Sequence, residues 1–370
     1  MNRNLFIVNT PFHLLTIYIL AKGRFCSDEN YLALIHPHGY DKWKDSPIMR
    51  YLSSADCGWQ QVFFLGNWLS SRNKSKSYRQ QVADVRNTIG KVGINTIFLG
   101  SDIDVQNQLL VGALNMDQFC RFEDGLYSYY NDDRRRSVAD SLFHKFKISI
   151  IKKLAGITGK VSINTVTAGD NPSGTCDFMY KPELLQRFSP KTYAIDQTMI
   201  GQALKNLFAK ELLTPVMKAN SVLYLSQPLV EQKKFTIEEE KDILQEIYRQ
   251  VKNNGQLLYK PHPNDSAYKL DYFRRNLPGM IIYNSVEPVE LSFAYEENLK
   301  AVISYQSSAL LFSDKFTPRQ IKAISLVNFY KQPLHPAYVD IMQKAGVCFP
   351  KDLKEVASTL NKWLLESANE

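Results

Sequence analysis

Short apolar runs of strand length alternate with helix-length stretches along nearly the whole chain, and that alternation leaves few folds open. Runs at 5–8, 31–35, 62–65, 96–99 and 118–122 read as strands, separated by helical stretches at 11–23, 43–54, 77–89 and 105–114. A second series has strands at 221–225, 256–259, 280–283, 301–304 and 323–327. Its helical stretches are 236–251, 267–275 and 288–294, with a helix opening at Ser307-Ser308 and a last helix at 352–365. Strands that alternate with helices build parallel α/β sheets, and ligands of such sheets bind beyond the carboxyl ends of the strands. Between the two series lie a charge cluster at 132–136 and a turn-rich Gly169-Asp170-Asn171-Pro172-Ser173-Gly174. The reading is therefore two Rossmann-like α/β domains facing across a cleft. The first spans 1–190 and the second 191–350, with a C-terminal helix in 351–370 that packs back on the first.

The 370 residues suffice for two cores. A net charge of +8 favours anionic ligands or a negatively charged surface. No zinc-finger spacing and no aromatic RNA-binding motif accompanies it, so nucleic acid is not expected as a partner. Cys26, Cys57, Cys120, Cys176 and Cys348 are scattered with no CxxC pair, which indicates neither a zinc site nor a disulfide framework and fits a reducing cytosol. The start of the chain enters an apolar strand directly, unlike a signal peptide. The run at 12–21 is too short to span a bilayer. The expectation is a cytoplasmic protein, able to sit peripherally at a membrane. The lysine-rich stretch 145–160 reads as a patch for anionic lipid or as a solvated helix face.

Three strand tips carry chemistry. The run 257–259 ends in Lys260-Pro261-His262-Pro263, where each proline fixes its own φ and keeps its predecessor out of the helical region. His262 thus sits on a stiff turn, able to hydrogen-bond a phosphate and hand it a proton. The plain alternative is a surface histidine, and the other His-Pro pairs, His36-Pro37 and His335-Pro336, show how common the dipeptide is. Ser307-Ser308 opens a helix after the strand 301–304, an anion site or simply a cap. Glu123-Asp124-Gly125 ends the strand 118–122. Adjacent carboxylates raise each other's pKa, which suits a general base, while Gly125 permits a turn with positive φ. An acidic pair before glycine is also an ordinary turn. A metal site ranks below the base role, because no second acidic group is placed to complete it.

Together, the acidic pair with glycine, Lys-x-His-Pro and Ser-Ser, in that order, resemble the bacterial sialyltransferases, including the capsule polysialyltransferases. These are two-domain GT-B glycosyltransferases that use CMP-sialic acid without a metal. Val222-Leu223-Tyr224-Leu225-Ser226-Gln227-Pro228 is similar to the Ser-Gln strand that opens their nucleotide-binding domain. Val8-Asn9-Thr10-Pro11-Phe12 is similar to their first strand-loop, placing Asn9 and Thr10 by the cleft. The resemblance implies an inverting displacement with no cofactor. Asp124 deprotonates the acceptor and Glu123 supports it, with Gly125 leaving room for substrate. His262 protonates or hydrogen-bonds the departing phosphate, which Ser307 and Ser308 hold, while Gln227, Pro228 and Pro261 border the cytidine. Lys260 adds positive charge on grounds of charge and position. The implied partners are CMP-sialic acid and a glycan acceptor of lipooligosaccharide or capsule, with peripheral contact to anionic membrane. Leu126-Tyr127-Ser128 departs from the small polar residues that follow the acidic motif in many relatives. Arg134-Arg135-Arg136 and the lysines of 145–153 are candidates for a basic product groove. Two other readings stay open: a GT-B transferase using another CMP- or CDP-activated donor (a polyol phosphate or a different ulosonic acid), and an inactive glycan- or nucleotide-binding relative.

Overall fold

The computed structural model describes residues 1–35, 45–65, 74–131, 146, 149–150, 152–157, 168–213, 215–218, 220–329 and 334–366. The chain forms two compact units, Met1–Leu212 and Leu213–Glu370.

The first unit runs β1 (Arg3–Val8), α1 (Pro11–Lys22), β2 (Glu29–Ile35), α2 (Pro47–Leu52), β3 (Gln61–Leu65), α3 (Lys74–Asn87), β4 (Thr96–Leu99), α4 (Val105–Ala113), β5 (Phe119–Phe122), β6 (Gly174–Met179), β7 (Thr192–Ala194) and α5 (Gln197–Phe208). Its sheet has the order β3-β2-β1-β4-β5-β6-β7 with every pair parallel. Successive residues of a strand face opposite sides. Leu5 and Ile7 accordingly join Ile97, Leu99, Leu110 and Val111 on one side. Phe6 turns to the other, stacked on Phe98 at 4.7 Å, with Phe25 and Phe178 beside Phe98. A central strand covered on both faces reads as an unbroken apolar run, which is why 5–8 was legible.

The boundary expected at 190/191 falls later, at 212/213. The reason is that β7 pairs with β6 and α5 buries Ile200, Ala203, Leu204 and Leu207, with the Tyr18 hydroxyl of α1 donating to the Ala203 carbonyl. A buried ion cluster holds the preceding stretch. Arg121 pairs with Asp177 at 2.6 Å and Asp102 at 2.9 Å, and Arg187 pairs with Asp177 at 3.1 Å. Asp102 also accepts from the Gly169 and Asn171 N–H groups, so the turn-rich stretch is bound into the first unit rather than marking its end. A second correction concerns the cysteines. Cys120 and Cys176 lie opposite each other on β5 and β6, Cα atoms 4.9 Å apart, and are joined as a disulfide. Scattered spacing hid a pairing that strand register creates.

The second unit runs β8 (Ser221–Leu225), α6 (Ile237–Val251), β9 (Gln256–Lys260), α7 (Ala267–Asn276), β10 (Ile281–Ile282), α8 (Val289–Tyr295), β11 (Leu299–Ser304), β12 (Lys322–Ser325), α9 (Pro336–Lys344) and α10 (Leu353–Glu366). The sheet order is β10-β9-β8-β11-β12, again parallel throughout. Thr236 caps α6 and Glu239 reaches back to the Thr236 N–H at 2.8 Å, a complete capping box. Helix α10 buries Val356, Leu360 and Leu364 in the same core as Leu244 and Ile247 of α6, and Asn361 donates to Gln250 at 2.8 Å. The last helix therefore belongs to the second unit's own core, a correction to the expectation that it returns to the first.

In each sheet the strand order reverses at one place, between β1 and β4 and between β8 and β11. Those reversals leave crevices at the carboxyl ends of the strands. Asn9-Thr10, Gln227 and Ser307-Ser308 follow strands that border them, β1, β8 and β11, while Glu123-Asp124 and His262 lie one strand further out, after β5 and β9.

Candidate active site

In the first unit, β1 delivers Asn9 and Thr10, and β5 delivers Glu123, Asp124 and Gly125. Thr10 is the N-cap of α1, its hydroxyl accepting from the His13 N–H at 3.1 Å, with Pro11 in the first turn. Gly125 has φ +93°, in the region that favours glycine, and starts a short turn over Leu126–Ser128. Within that turn the Ser128 hydroxyl accepts from the Asp124 N–H at 2.9 Å, which pins the residue's backbone.

The acidic pair divides. Glu123 points inward and is fully buried, accepting from the Tyr129 hydroxyl at 2.7 Å and the Tyr180 N–H at 3.3 Å. Burial pushes its carboxyl up to about 8, and the neighbouring charge of Asp124 contributes less. Mutual repulsion, the cause expected from sequence, is thus secondary to desolvation. Asp124 points outward with its side chain 30% exposed. Its Oδ1 lies 2.5 Å from His13 Nε2, on an imidazole only 2% exposed. The ring meets Phe122 edge-on at 5.2 Å, and a Cβ placed on Gly100 would sit 2.6 Å from its Cε1. The absence of a side chain at 100 makes room for the histidine. Asp104, which caps α4 through the Gln106 and Asn107 N–H groups, also feels this pair. Its carboxyl is raised mainly by burial, with the charge of Asp124 adding.

Sequence reading missed His13. The available signal was its place: third in the helical stretch that follows Thr10-Pro11, a polar side chain among apolar neighbours. Side chains in a first helical turn lean back toward the N-terminus, here toward the strand tips.

In the second unit, β9 delivers His262. The Asp265 carboxylate accepts from the His262 N–H and the Tyr259 hydroxyl, both at 3.0 Å, and the Asn264 N–H donates to His262 Nδ1 at 3.1 Å. With Nδ1 accepting, the neutral ring carries its proton on Nε2. Burial lowers the imidazole below its ordinary range; the Lys269 charge adds to this, while Asp265 and Glu231 oppose it. The loop is anchored by Lys269 of α7, a wholly buried ammonium that sequence reading also missed. It donates to Ser226 Oγ, the Gln227 carbonyl and Asp265 Oδ1, each at 3.1 Å, and pairs with Glu240 of α6 at 2.9 Å. Burial holds the Glu240 carboxyl up, at about 7, against the pull of Lys269.

Gln227 crosses the strand-order reversal: its Oε1 accepts from the Gln306 N–H at 3.0 Å. The tips of β9, β8 and β11 are neighbours in the sheet, so one edge carries His262, Gln227 and Ser307-Ser308 side by side. Ser307 caps a five-residue turn, Ser308–Phe312, rather than the α-helix expected, its hydroxyl accepting from the Ala309 N–H at 3.3 Å. Pro261 is half-buried and Pro228 buried. Lys260 does not join this edge in the way expected. Its ammonium donates to the Ser285 carbonyl and lies 5.6 Å from the centre of the Tyr283 ring, and burial lowers it to about 8. Alternation along β9 explains this, since Lys260 turns to the opposite side from Tyr259. Among the described residues no group of three or more His, Cys, Asp or Glu is placed to hold a metal. His36-Pro37, Arg134-Arg135-Arg136 and most lysines of 145–160 lie outside the described residues.

Two parallel α/β units, each with one strand-order reversal, give the chain a GT-B-type fold. The fold is shared with UDP-GlcNAc 2-epimerases. That of Neisseria meningitidis, solved with UDP-GlcNAc, matches at 9% identity over 99% of this chain and 92% of that one, with TM-score 0.56. That of Methanocaldococcus jannaschii matches at 10% identity, 98% and 93% coverage and TM-score 0.55. The GT-B domain of a Photobacterium damselae sialyltransferase matches at 13% identity, 94% and 100% coverage and TM-score 0.47. Comparison with curated protein sequences gives no match. The family model described as alpha-2,8-polysialyltransferase (POLYST) matches residues 4–328, and the chain belongs to that family.

Proposed function

We propose that this glycosyltransferase is an inverting, metal-independent sialyltransferase that moves sialic acid from CMP-sialic acid to a hydroxyl of a glycan acceptor, in lipooligosaccharide or capsule. The observation that carries the reading is the state of His262. A loop that donates to Nδ1 leaves Nε2–H as a fixed donor, on the same sheet edge as Gln227 and Ser307-Ser308. A donor of that kind suits a leaving group that departs as a phosphate anion.

In this mechanism the first unit serves the acceptor and the second the donor. Asp124 takes the proton of the acceptor hydroxyl as its oxygen attacks the anomeric carbon of the donor sugar. The bond from that carbon to the phosphate oxygen breaks, and its electron pair leaves on CMP. His262 Nε2–H hydrogen-bonds that oxygen, and Ser307 and Ser308 hold the phosphate. Gln227, Pro228 and Pro261 border the cytidine, and Asn9, Thr10 and Gly125 line the acceptor side. Glu123, protonated at neutral pH, supports Asp124 by adding no second negative charge behind it. No step in this mechanism calls for a metal.

The membrane contact in this reading is carried by Phe146, Ile150 and Leu154, apolar residues that are 65%, 43% and 37% exposed. Arg79 and Arg86 of α3 donate to the carbonyls of Leu154 and Gly156, while Ala155 and Ile157 are buried, which fixes 154–157 on the first unit's core. Exposed apolar side chains beside Lys152 and Lys153 fit an anionic bilayer surface.

The test is product analysis after incubation with CMP-sialic acid and galactose- or sialic-terminated acceptors, with and without EDTA. CMP release and a sialylated product in both arms are expected. Activity abolished by EDTA would overturn metal independence, and turnover confined to a CDP-linked donor would overturn the donor assignment. Salt-insensitive failure to co-sediment with anionic liposomes would remove the membrane contact.

A further inference from the structure

His13 and Asp124 form an arrangement that a merely structural histidine does not need. The imidazole is buried and the carboxylate is not, so the shared hydrogen bond ties an interior group to a surface one at 2.5 Å. The cap of α1 holds the His13 backbone, and the edge of Phe122 and the bare backbone of Gly100 bound the ring. Its second nitrogen, Nδ1, is buried with no hydrogen-bond partner. A side chain retained for packing would leave no polar atom stranded, because such an atom loses water and gains nothing. Here the polar contact that histidine gains is to Asp124. An Nε2–H tautomer donates to Oδ1 and leaves no N–H unpaired at Nδ1.

We propose that His13 is a positioning residue for Asp124: it holds Oδ1 so that Oδ2 meets the acceptor hydroxyl as the proton acceptor. The proposal rests on the reading of Asp124 as the base. The acceptor proton ends on Oδ2, the Nε2 proton stays on His13, and the attacking oxygen keeps its electron pair for the new bond. The charged groups around the ring are Asp124 on the β5 tip and Asp104 before α4, the latter occupied in capping.

The experiment is a double-mutant cycle with His13→Leu, His13→Gln and Asp124→Asn, scored on kcat and KM with CMP-sialic acid and acceptor. Gln keeps an amide N–H near the place of Nε2, whereas Leu keeps only bulk. His13→Leu is expected to lower kcat by ~10²-fold, the range of a misplaced acid–base group, with donor KM unchanged. His13→Gln should restore most of that loss. Either His13 variant combined with Asp124→Asn should be no slower than Asp124→Asn alone. Multiplying effects, or a folded His13→Gln as slow as His13→Leu, would overturn the proposal. Should His13→Leu fail to fold, the cycle through His13→Gln decides between the same outcomes. Asp124→Asn at the wild-type rate would remove the base reading, and the proposal with it, from the single variant alone.

Discussion

The two strand tips place their exposed groups on opposite plans. In the first unit the outer group is a carboxylate, Asp124, with a histidine buried behind it. In the second the outer group is a histidine, His262, with a carboxylate and a buried ammonium behind it. Both plans hold one polar atom of the outer group, Asp124 Oδ1 or His262 Nδ1, and leave another for substrate. They differ in redundancy. Asp124 is held by one side-chain contact and one backbone bond, to Ser128. His262 stands on a network in which Lys269 joins β8, the 262–266 loop and α6 through four partners. A single deletion should therefore disturb chiefly chemistry in the first unit and folding in the second.

The largest expected effect tests both outer groups. Asp124→Ala and His262→Ala should each cut transfer by ~10²-fold or more. Stability in thermal unfolding should be unchanged in His262→Ala and lowered by about 1–3 kcal/mol in Asp124→Ala, which leaves the buried His13 Nε2 unpaired. Near wild-type turnover by either variant would sink its role. Next, Lys269→Met leaves Glu240 and Asp265 buried without their cation. Removing one partner of a buried ion pair costs about 3–5 kcal/mol, so chemical denaturation should show the second unit melting early. A midpoint unmoved in that variant would mean the network is not what holds the loop. Smaller again is Gly100→Ala, whose Cβ would collide with the His13 ring. We expect roughly tenfold slower transfer and a stability loss of about 1–3 kcal/mol, because the buried ring must shift and a small misplacement is costly to chemistry.

This contrast also explains what the sequence disclosed. Strand runs such as 5–8 and 221–225 are buried on both faces, so local composition announces them. The caps at Thr10 and Thr236 are local as well, each accepting from an N–H three residues on, beside Pro11 in one helix and Glu239 in the other. His13 and Asp124 are 111 positions apart, and Lys269 meets Ser226 across 43. Contacts of that span exist only once the strand order is known, and no local pattern signals them. Lys260 and Glu123 show the converse limit. Each belongs to a recognised motif, but strand alternation turns Lys260 toward Ser285 and Glu123 into the interior. Motif membership placed the backbone at the tip without saying which way the side chain turns.

Glu123 gives the smallest effect at neutral pH and the sharpest check on that inward turn. Its carboxyl is raised from 4.5 to about 8 by burial, so the folded first unit binds a proton that the unfolded chain releases. A raised folded-state value gives stability that is fully present below 4.5, declines as pH rises and is lost beyond about 8. Glu123→Gln copies the protonated form and can still accept from Tyr129 and Tyr180, but it cannot ionise. Near pH 5 the variant and the wild type should therefore unfold at similar denaturant concentrations. Above pH 8 the variant should be the more stable of the two, with turnover at pH 7 little changed. Parallel stability curves across that range would show that Glu123 is ionised in the folded protein. The carboxylate at 123 would then repel the one at 124, which is the coupling expected from sequence, and the division of labour between the two residues would fail.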